Sequence, residues 1–218
     1  MVFVVTLLIK WLGHASFQIK AGEKIVYVDP YEGEYPEKAD LILVSHSHSD
    51  HCDTAKIKGV RKADTVIIAP EDCVSKIGES VKTLKPGEEA TIHNIKVRAV
   101  EAYNYKRFRS PGNPYHPKGL GVGYLITAEG KTIYHAGDTD FIPEMRQLGH
   151  VDVALLPSGD TYTMNNVEAS EAAIAISPEI TIPMHRWDTD QEEFKEKVEA
   201  RSDVKVVVLR KGEEHQVA

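Results

Sequence analysis

The sequence predicts a single layered α/β domain over residues 1–218, on three observations. Short apolar runs bounded by turn residues recur from end to end, helix-like segments are interspersed among them, and no linker-like stretch divides the chain. At 218 residues it is long enough to bury one sizeable core.

In chain order, strands are predicted at 2–9, 15–19, 25–28 and 41–44, with Ala21-Gly22-Glu23-Lys24 as the turn of a hairpin between the second and third. The 2–9 run is Val-rich, which suits a buried strand. It is far too short to span a bilayer, and no basic segment precedes it, so neither an anchor nor a secretion signal is expected. Helices follow from Asp53 to about 62 and over 71–77, where Gly78 is the stop, with a strand at 66–69 between them. Strands at 90–92 and 95–100 come next. Residues 103–121 read as a long loop crowded with Pro, Gly, Asn, Tyr and basic side chains, and such loops in compact domains are usually functional.

The second half continues with strands at 123–127 and 131–135, a helix near 143–148, a strand at 153–156 and a helix from Asn166. Asn165 caps that helix with Glu168 as its reciprocal partner, and Ser177-Pro178 ends it. A strand at 180–183 precedes a helix capped by Thr189, with Glu192 in the box position and Phe194 and Val198 on its inner face. A buried strand at 204–209 completes the chain.

Composition excludes several classes. The chain is 42% hydrophobic, so it is neither disordered nor collagen-like, and its net charge of -7 repels phosphate backbones, against general nucleic-acid binding. Cys52 and Cys73 are too few for a disulfide framework, which fits a reducing cytoplasm.

The chemistry lies in the 10 histidines. Val44-Ser45-His46-Ser47-His48-Ser49-Asp50-His51 puts three imidazoles and a carboxylate directly after an apolar strand. Clustered imidazoles repel if protonated and bury lone pairs if neutral, and a bound cation resolves both problems. His46 and His48, two apart in a loop, can reach one ion, while Asp50 and His51 point to a second position. The bland alternative is a polar turn with histidines by chance. Partners after two later strands weigh against it: Asp138 in His135-Ala136-Gly137-Asp138-Thr139, where Gly137 allows a tight backbone approach, and His185 after 180–183. Residues at the carboxyl ends of several strands converge on one rim of an α/β domain.

These residues, in this order, resemble the metallo-β-lactamase superfamily over nearly the whole chain. Trp11-Leu12-Gly13-His14-Ala15, Val28-Asp29-Pro30, the 135–139 run and Pro183-Met184-His185 look like its stand-alone metal-dependent hydrolase branch. That branch is similar to ascorbate-phosphate lactonase and to the phospholipase D acting on N-acyl ethanolamine lipids. The resemblance implies a four-layer αββα sandwich with two metal ions at one edge of the sheets. It implies that His46 and His48 hold the first ion and Asp50 and His51 the second, that Asp138 bridges both, and that His185 completes the second. The third imidazole of the first ion is sought between His51 and Asp138, among His93, His116 and His135. His93 falls in a predicted turn and reads as surface. His116 occupies the loop position from which the family draws this ligand and is preferred, with His135 held as the alternative or as a partner that orients a ligand.

Other residues carry paired readings. His14 matches a family position or is a structural turn residue. Asp29 orients a ligand or caps the Pro30 turn. Cys52 reads as a small buried hydrophobe rather than a ligand. Lys106-Arg107-Phe108-Arg109 with Lys118 reads as a solvated loop face; the minority reading has those cations hold an anionic substrate, because His116 shares the loop.

The expected function is hydrolysis of a small, anionic ester, lactone or phosphodiester. Two divalent ions, zinc by ligand softness with manganese or iron as alternatives, share a hydroxide as water's pKa falls from about 15.7 towards roughly 7. Asp50 steers that nucleophile or takes its proton, and His14 or His135 assists the leaving group. One competing class is a di-iron redox protein, disfavoured because His48 is an imidazole where such members tend to carry a carboxylate, and because no flavin domain is present. The other is a compact nuclease, for whose clamping domain 218 residues leave no room. The partner expected is a small molecule, with no membrane span, and nothing in the sequence sets an oligomeric state.

Overall fold

Alternating burial along the first strands sets the architecture. In the computed structural model, which describes residues 7–78 and 80–217, β1 (Leu7–Gly13), β2 (Ser16–Ala21) and β3 (Lys24–Val28) form an antiparallel meander. β4 (Leu41–Leu43), β5 (Val66–Ala69) and β6 (Val81–Thr83) extend it in parallel. Val26, Val28, Leu41, Leu43 and Ile68 fall in one apolar cluster and Ile25, Tyr27, Ile42, Val44 and Ile67 in another, the period-two consequence of the pleat. The second cluster takes in Ile57 and Val60 of α1 (Thr54–Val60), together with Cys52 and with Cys73, which precedes α2 (Val74–Ile77).

The second sheet repeats the plan. β7 (Glu89–Ile92), β8 (Ile95–Ala102) and, beyond a two-stranded ribbon of β9 (Phe108–Ser110) and β10 (Asn113–Pro114), β11 (Gly121–Ala128) and β12 (Lys131–His135) are antiparallel neighbours. β13 (Val153–Pro157), β14 (Ile180–Met184) and β15 (Lys205–Val206) add to β12 in parallel. α3 (Asn166–Ile176) packs on β13 and α4 (Gln191–Glu199) on β15, burying Ala169, Ala172, Phe194 and Val198. β16 (Glu214–Val217) returns to pair with β1. The layers run helix, sheet, sheet, helix, the four-layer αββα sandwich expected. Among the described residues no helix is long and apolar enough to cross a membrane.

Several elements depart from the sequence expectation. Residues 2–6 of the predicted first strand lie outside the described residues, and from Leu7 the strand runs on to Gly13. The 143–148 segment is a 3-10 turn, Pro143–Gln147, with Gly149 close behind it. α4 is capped by Asp190, whose carboxylate accepts from Glu192 N at 3.0 Å, because Thr189 Oγ1 is committed to the Arg186 carbonyl. The capping box of α3 forms as expected, with Glu168 N donating to Asn165 Oδ1 at 2.9 Å. The predicted 204–209 strand pairs only at Lys205–Val206.

At the head of β4, buried Asp40 accepts from Ile25 N (2.9 Å), Lys24 Nζ (3.1 Å) and Lys62 Nζ (2.8 Å). Burial alone would raise its pKa, but these donors outweigh it and hold the carboxyl at about 2, against an ordinary 3.8. A depressed carboxyl stabilises the fold above its unfolded value, and that contribution is lost as pH falls from 3.8 through about 2. Asp40→Asn is expected to cost about 2 kcal/mol at neutral pH and to shrink the loss of stability between those pH values, read by urea denaturation.

Candidate metal centre

The carboxyl ends of β3, β4, β12 and β14 open on one rim, and each delivers side chains there. Asp29 follows β3, His46 to His51 follow β4, Asp138 follows β12 and His185 follows β14, while His14 sits in the β1–β2 turn. His14, Asp29 and His185 turn onto the rim through left-handed backbone, with φ of 49°, 45° and 44°. Non-glycine residues resist that conformation, so the packing around them has to hold it. Gly137 (φ +63°) gives the close approach expected of it, since a Cβ there would lie 2.8 Å from Val122 O and 3.3 Å from Ser45 Cβ.

Three groups of donor atoms result. His46 Nε2 lies 3.0 Å from His48 Nδ1, and His116 Nε2 lies 3.2 Å from the same atom. His14, Asp50, His51 and His185 make a second group, with His14 Nε2 3.2 Å from Asp50 Oδ2. His46, His51 and Asp138 make a third. Asp138 Oδ2 sits 3.4 Å from His51 Nε2, 3.3 Å from His116 Nε2 and 3.2 Å from His185 Nε2, in contact with members of both other groups.

Hydrogen bonds behind the rim aim the rings. Asp29 accepts from Ser45 N (2.6 Å), Ser45 Oγ (2.6 Å) and His51 Nδ1 (2.8 Å), so it orients a donor and the turn-cap reading is secondary. His46 Nδ1 donates to Ser45 Oγ at 3.0 Å. His116 Nδ1 donates to Asn104 Oδ1 at 2.7 Å, and Asn104 Nδ2 in turn donates to Asp140 at 3.1 Å. In each case the bond at Nδ1 leaves an Nε2 lone pair facing the centre, the arrangement usual behind metal-ligating imidazoles.

The electrostatics suit a cation. Burial pushes the pKa of His46, His48 and His116 down, that of His116 to about 4, which keeps their lone pairs free at neutral pH. Burial opposes charge on His51 too, but Asp138 and Asp29 overcome it and raise that imidazole. Burial likewise acts to raise Asp138 and Asp50, but neighbouring imidazoles hold both well down, His185 and His51 for Asp138 and His14 for Asp50. His51 Nε2 and Asp138 Oδ1 are buried with no hydrogen-bond partner at the centre of the cluster. Orphaned buried atoms are costly, and a bound ion relieves that cost, so the donor set fits divalent metal.

The same geometry separates His116 from His135. His135 is fully buried, its Nε2 is 2.9 Å from the Ala15 carbonyl and its Nδ1 accepts from Gly137 N at 3.2 Å. With both nitrogens spent on backbone it stands outside all three donor groups, which corrects the ligand and leaving-group roles held open for it. His93 is an exposed turn residue, as expected, and Cys52 is buried in the apolar cluster under β4.

The basic loop divides, its exposed cations keeping to the solvated face expected while most of them are tied into ion pairs. Lys106 pairs with Glu168, Arg107 with Asp140, Asp160 and Glu168, and Lys118 with Glu101 and Glu144. Arg109 alone of these faces the centre, lining a cavity of about 350 Å³ with His48, Asp50, His116, Asp138 and His185. Ser45, Asn104, Tyr115 and Tyr162 belong to the site without having been singled out from the sequence. Only the Asn and Tyr content of the 103–121 loop hinted at two of them.

An αββα sandwich whose strand ends gather histidines and aspartates on one rim defines a metallo-β-lactamase fold with a candidate metal centre. Residues 8–185 match the β-lactamase superfamily domain, and the chain belongs to that superfamily, among its metal-dependent hydrolases. It is 35% identical to the UPF0173 metal-dependent hydrolase of Pelotomaculum thermopropionicum, over 94% of this chain and 97% of that one. A solved structure from Parabacteroides distasonis is 38% identical and superposes with a TM-score of 0.88, covering 95% of this chain and 94% of its own. Igni18, a metallo hydrolase from Ignicoccus hospitalis, follows at 27% identity and a TM-score of 0.81, covering 98% and 99%.

Proposed function

We propose that the centre is dinuclear and hydrolyses a small anionic ester, lactone or phosphodiester. In this reading His46, His48 and His116 hold one divalent ion, Asp50, His51 and His185 hold the other with His14 beside them, and Asp138 is shared. The division of the donors into two sets in contact with one carboxylate carries it. Imidazole and carboxylate donors favour zinc, with manganese or iron behind it. When bound, such ions supply Lewis acidity and bring the pKa of water from about 15.7 towards about 7.

The protein's own groups then divide the remaining work. Asp50 lines the cavity with its side chain 36% exposed, so its carboxylate can steer an incoming water. Buried His14 fixes that carboxylate through its 3.2 Å bond and is a positioning residue. The cavity admits a small molecule, and Arg109 gives it a cation suited to an anionic one. The free buried thiols Cys52 and Cys73 support a reducing cytoplasm as the setting.

A hydrolysis panel of phosphodiesters, lactones and thioesters on the zinc-loaded protein tests the reading. Turnover of at least one class, abolished by chelation and restored by zinc, is expected. Inactivity across the whole panel would contradict it.

A further inference from the structure

We propose that Arg109 reads a second, non-reacting oxyanion of the substrate, a carboxylate or phosphate held one or two bonds from the group that is cleaved. The inference rests on the hydrolase reading above and names the substrate feature that the site selects.

Arg109 is delivered by the β9–β10 ribbon, whose base is fixed by the half-buried Arg107 in its three ion pairs. Lys106, Arg107 and Lys118 are neutralised locally, whereas Arg109 has no carboxylate partner among the described residues. The two carboxylates that share its cavity are engaged elsewhere, Asp50 by His14 and Asp138 by His51, His116 and His185. An exposed guanidinium with no carboxylate partner, at the wall of a cavity whose two acids are both engaged, suits an incoming anion.

Its surroundings fit that role. The guanidinium carbon lies 5.4 Å from the centroid of the Tyr115 ring, and Tyr115 meets Tyr162 edge-on at 4.8 Å; both tyrosines line the cavity. An aromatic support steadies the guanidinium while leaving in-plane N–H donors to form a fork with an oxyanion. Arg109 Nη2 donates to His48 Nε2 at 3.1 Å, across the ring from the Nδ1 that faces His46 and His116. If His48 gives Nδ1 to an ion, the neutral ring carries its proton at Nε2 and no longer accepts from Arg109. The fork is then released one imidazole width from the reacting centre. That short span is why the recognised oxyanion must sit within one or two bonds of the cleaved group.

The test is calorimetric titration of the zinc-loaded protein with acetate, malonate and phosphonoacetate. The wild type is expected to bind malonate about tenfold or more tighter than acetate, because its second carboxylate meets Arg109. Arg109→Gln should bring the ratio close to one, and Arg109→Lys should leave an intermediate value, since ammonium keeps the charge without the fork. Phosphonoacetate binding tighter than malonate would assign a phosphate-type oxyanion, and the reverse order a carboxylate. Lys96→Gln, an equal change of charge on β8, should keep the wild-type ratio. A tenfold preference that survives in Arg109→Gln, that is absent from the wild type, or that Lys96→Gln also abolishes would overturn the proposal. Elemental analysis of each sample separates the two claims, because a chain that holds no metal contradicts the dinuclear reading, whereas loss of discrimination with metal retained reports on Arg109.

Discussion

Asp138→Asn is expected to strip metal from the centre and to lower hydrolysis by about a thousandfold or more. Asparagine keeps the shape of the side chain but removes the charge that three imidazole Nε2 atoms approach within 3.2 to 3.4 Å. It also replaces one acceptor oxygen by an amide donor, which cannot serve a cation. Losses of other single donors are expected to be smaller, because His116 or His185 each touches one group while Asp138 touches both. Elemental analysis and kcat/KM on the same preparations decide the matter. A variant that keeps its metal and stays within tenfold of wild-type turnover would remove Asp138 from the centre.

Gly159→Ala is expected to disable the site from a position that bears no functional group. A Cβ at Gly159 would press far inside contact distance of the His185 carbonyl oxygen and come 2.5 Å from Trp187 Cδ1. The backbone there has no slack: Ser158 N donates to Met184 O at 3.1 Å, His185 N donates to His14 O at 3.0 Å, and His185 and Trp187 both hold left-handed φ. The methyl group is accommodated only by moving the His185 segment, which carries its Nε2 away from Asp138. A displacement of about 1 Å in such a constellation costs roughly 100-fold in activity, and the strain about 3 kcal/mol in stability. Gly59→Ala is the control, because nothing lies within 4 Å of a Cβ at that exposed position of α1. It should be neutral or stabilising by up to about 1 kcal/mol. Urea denaturation and turnover of the two variants should therefore diverge, and indistinguishable results would contradict the packing described.

How much of this was legible follows from whether the determinants are local. The His46 to His51 run, Asp138 and His185 could be read because each stands at the end of a strand whose apolar run is continuous in sequence. A layered α/β domain followed from the same runs, and the four-layer sandwich from the family resemblance that these motifs carry. Pairings at long range were not legible. The basic loop looked uniform, and only through Asp140, Glu144, Asp160 and Glu168, 26 to 62 residues away, do three of its four cations become structural. His116 was preferred to His135 on its loop position alone, and the reason for the difference, Asn104 on one side and the Ala15 carbonyl on the other, is a long-range contact that the sequence does not display. β16 escaped because Glu214-His215-Gln216-Val217 has no apolar run of its own and becomes a strand by pairing with β1. The shift of the α4 cap from Thr189 to Asp190 was invisible because either side chain can cap, and the Arg186 carbonyl decides between them.

The most direct test of the dinuclear reading is the metal content of the wild-type chain, saturated with zinc, dialysed against metal-free buffer and measured by elemental analysis beside His116→Ala and Asp138→Asn. The account predicts about two ions per chain in the wild type, about one in His116→Ala and fewer than one in Asp138→Asn. A wild type that retains no ion, or a single ion untouched by either substitution, would contradict it.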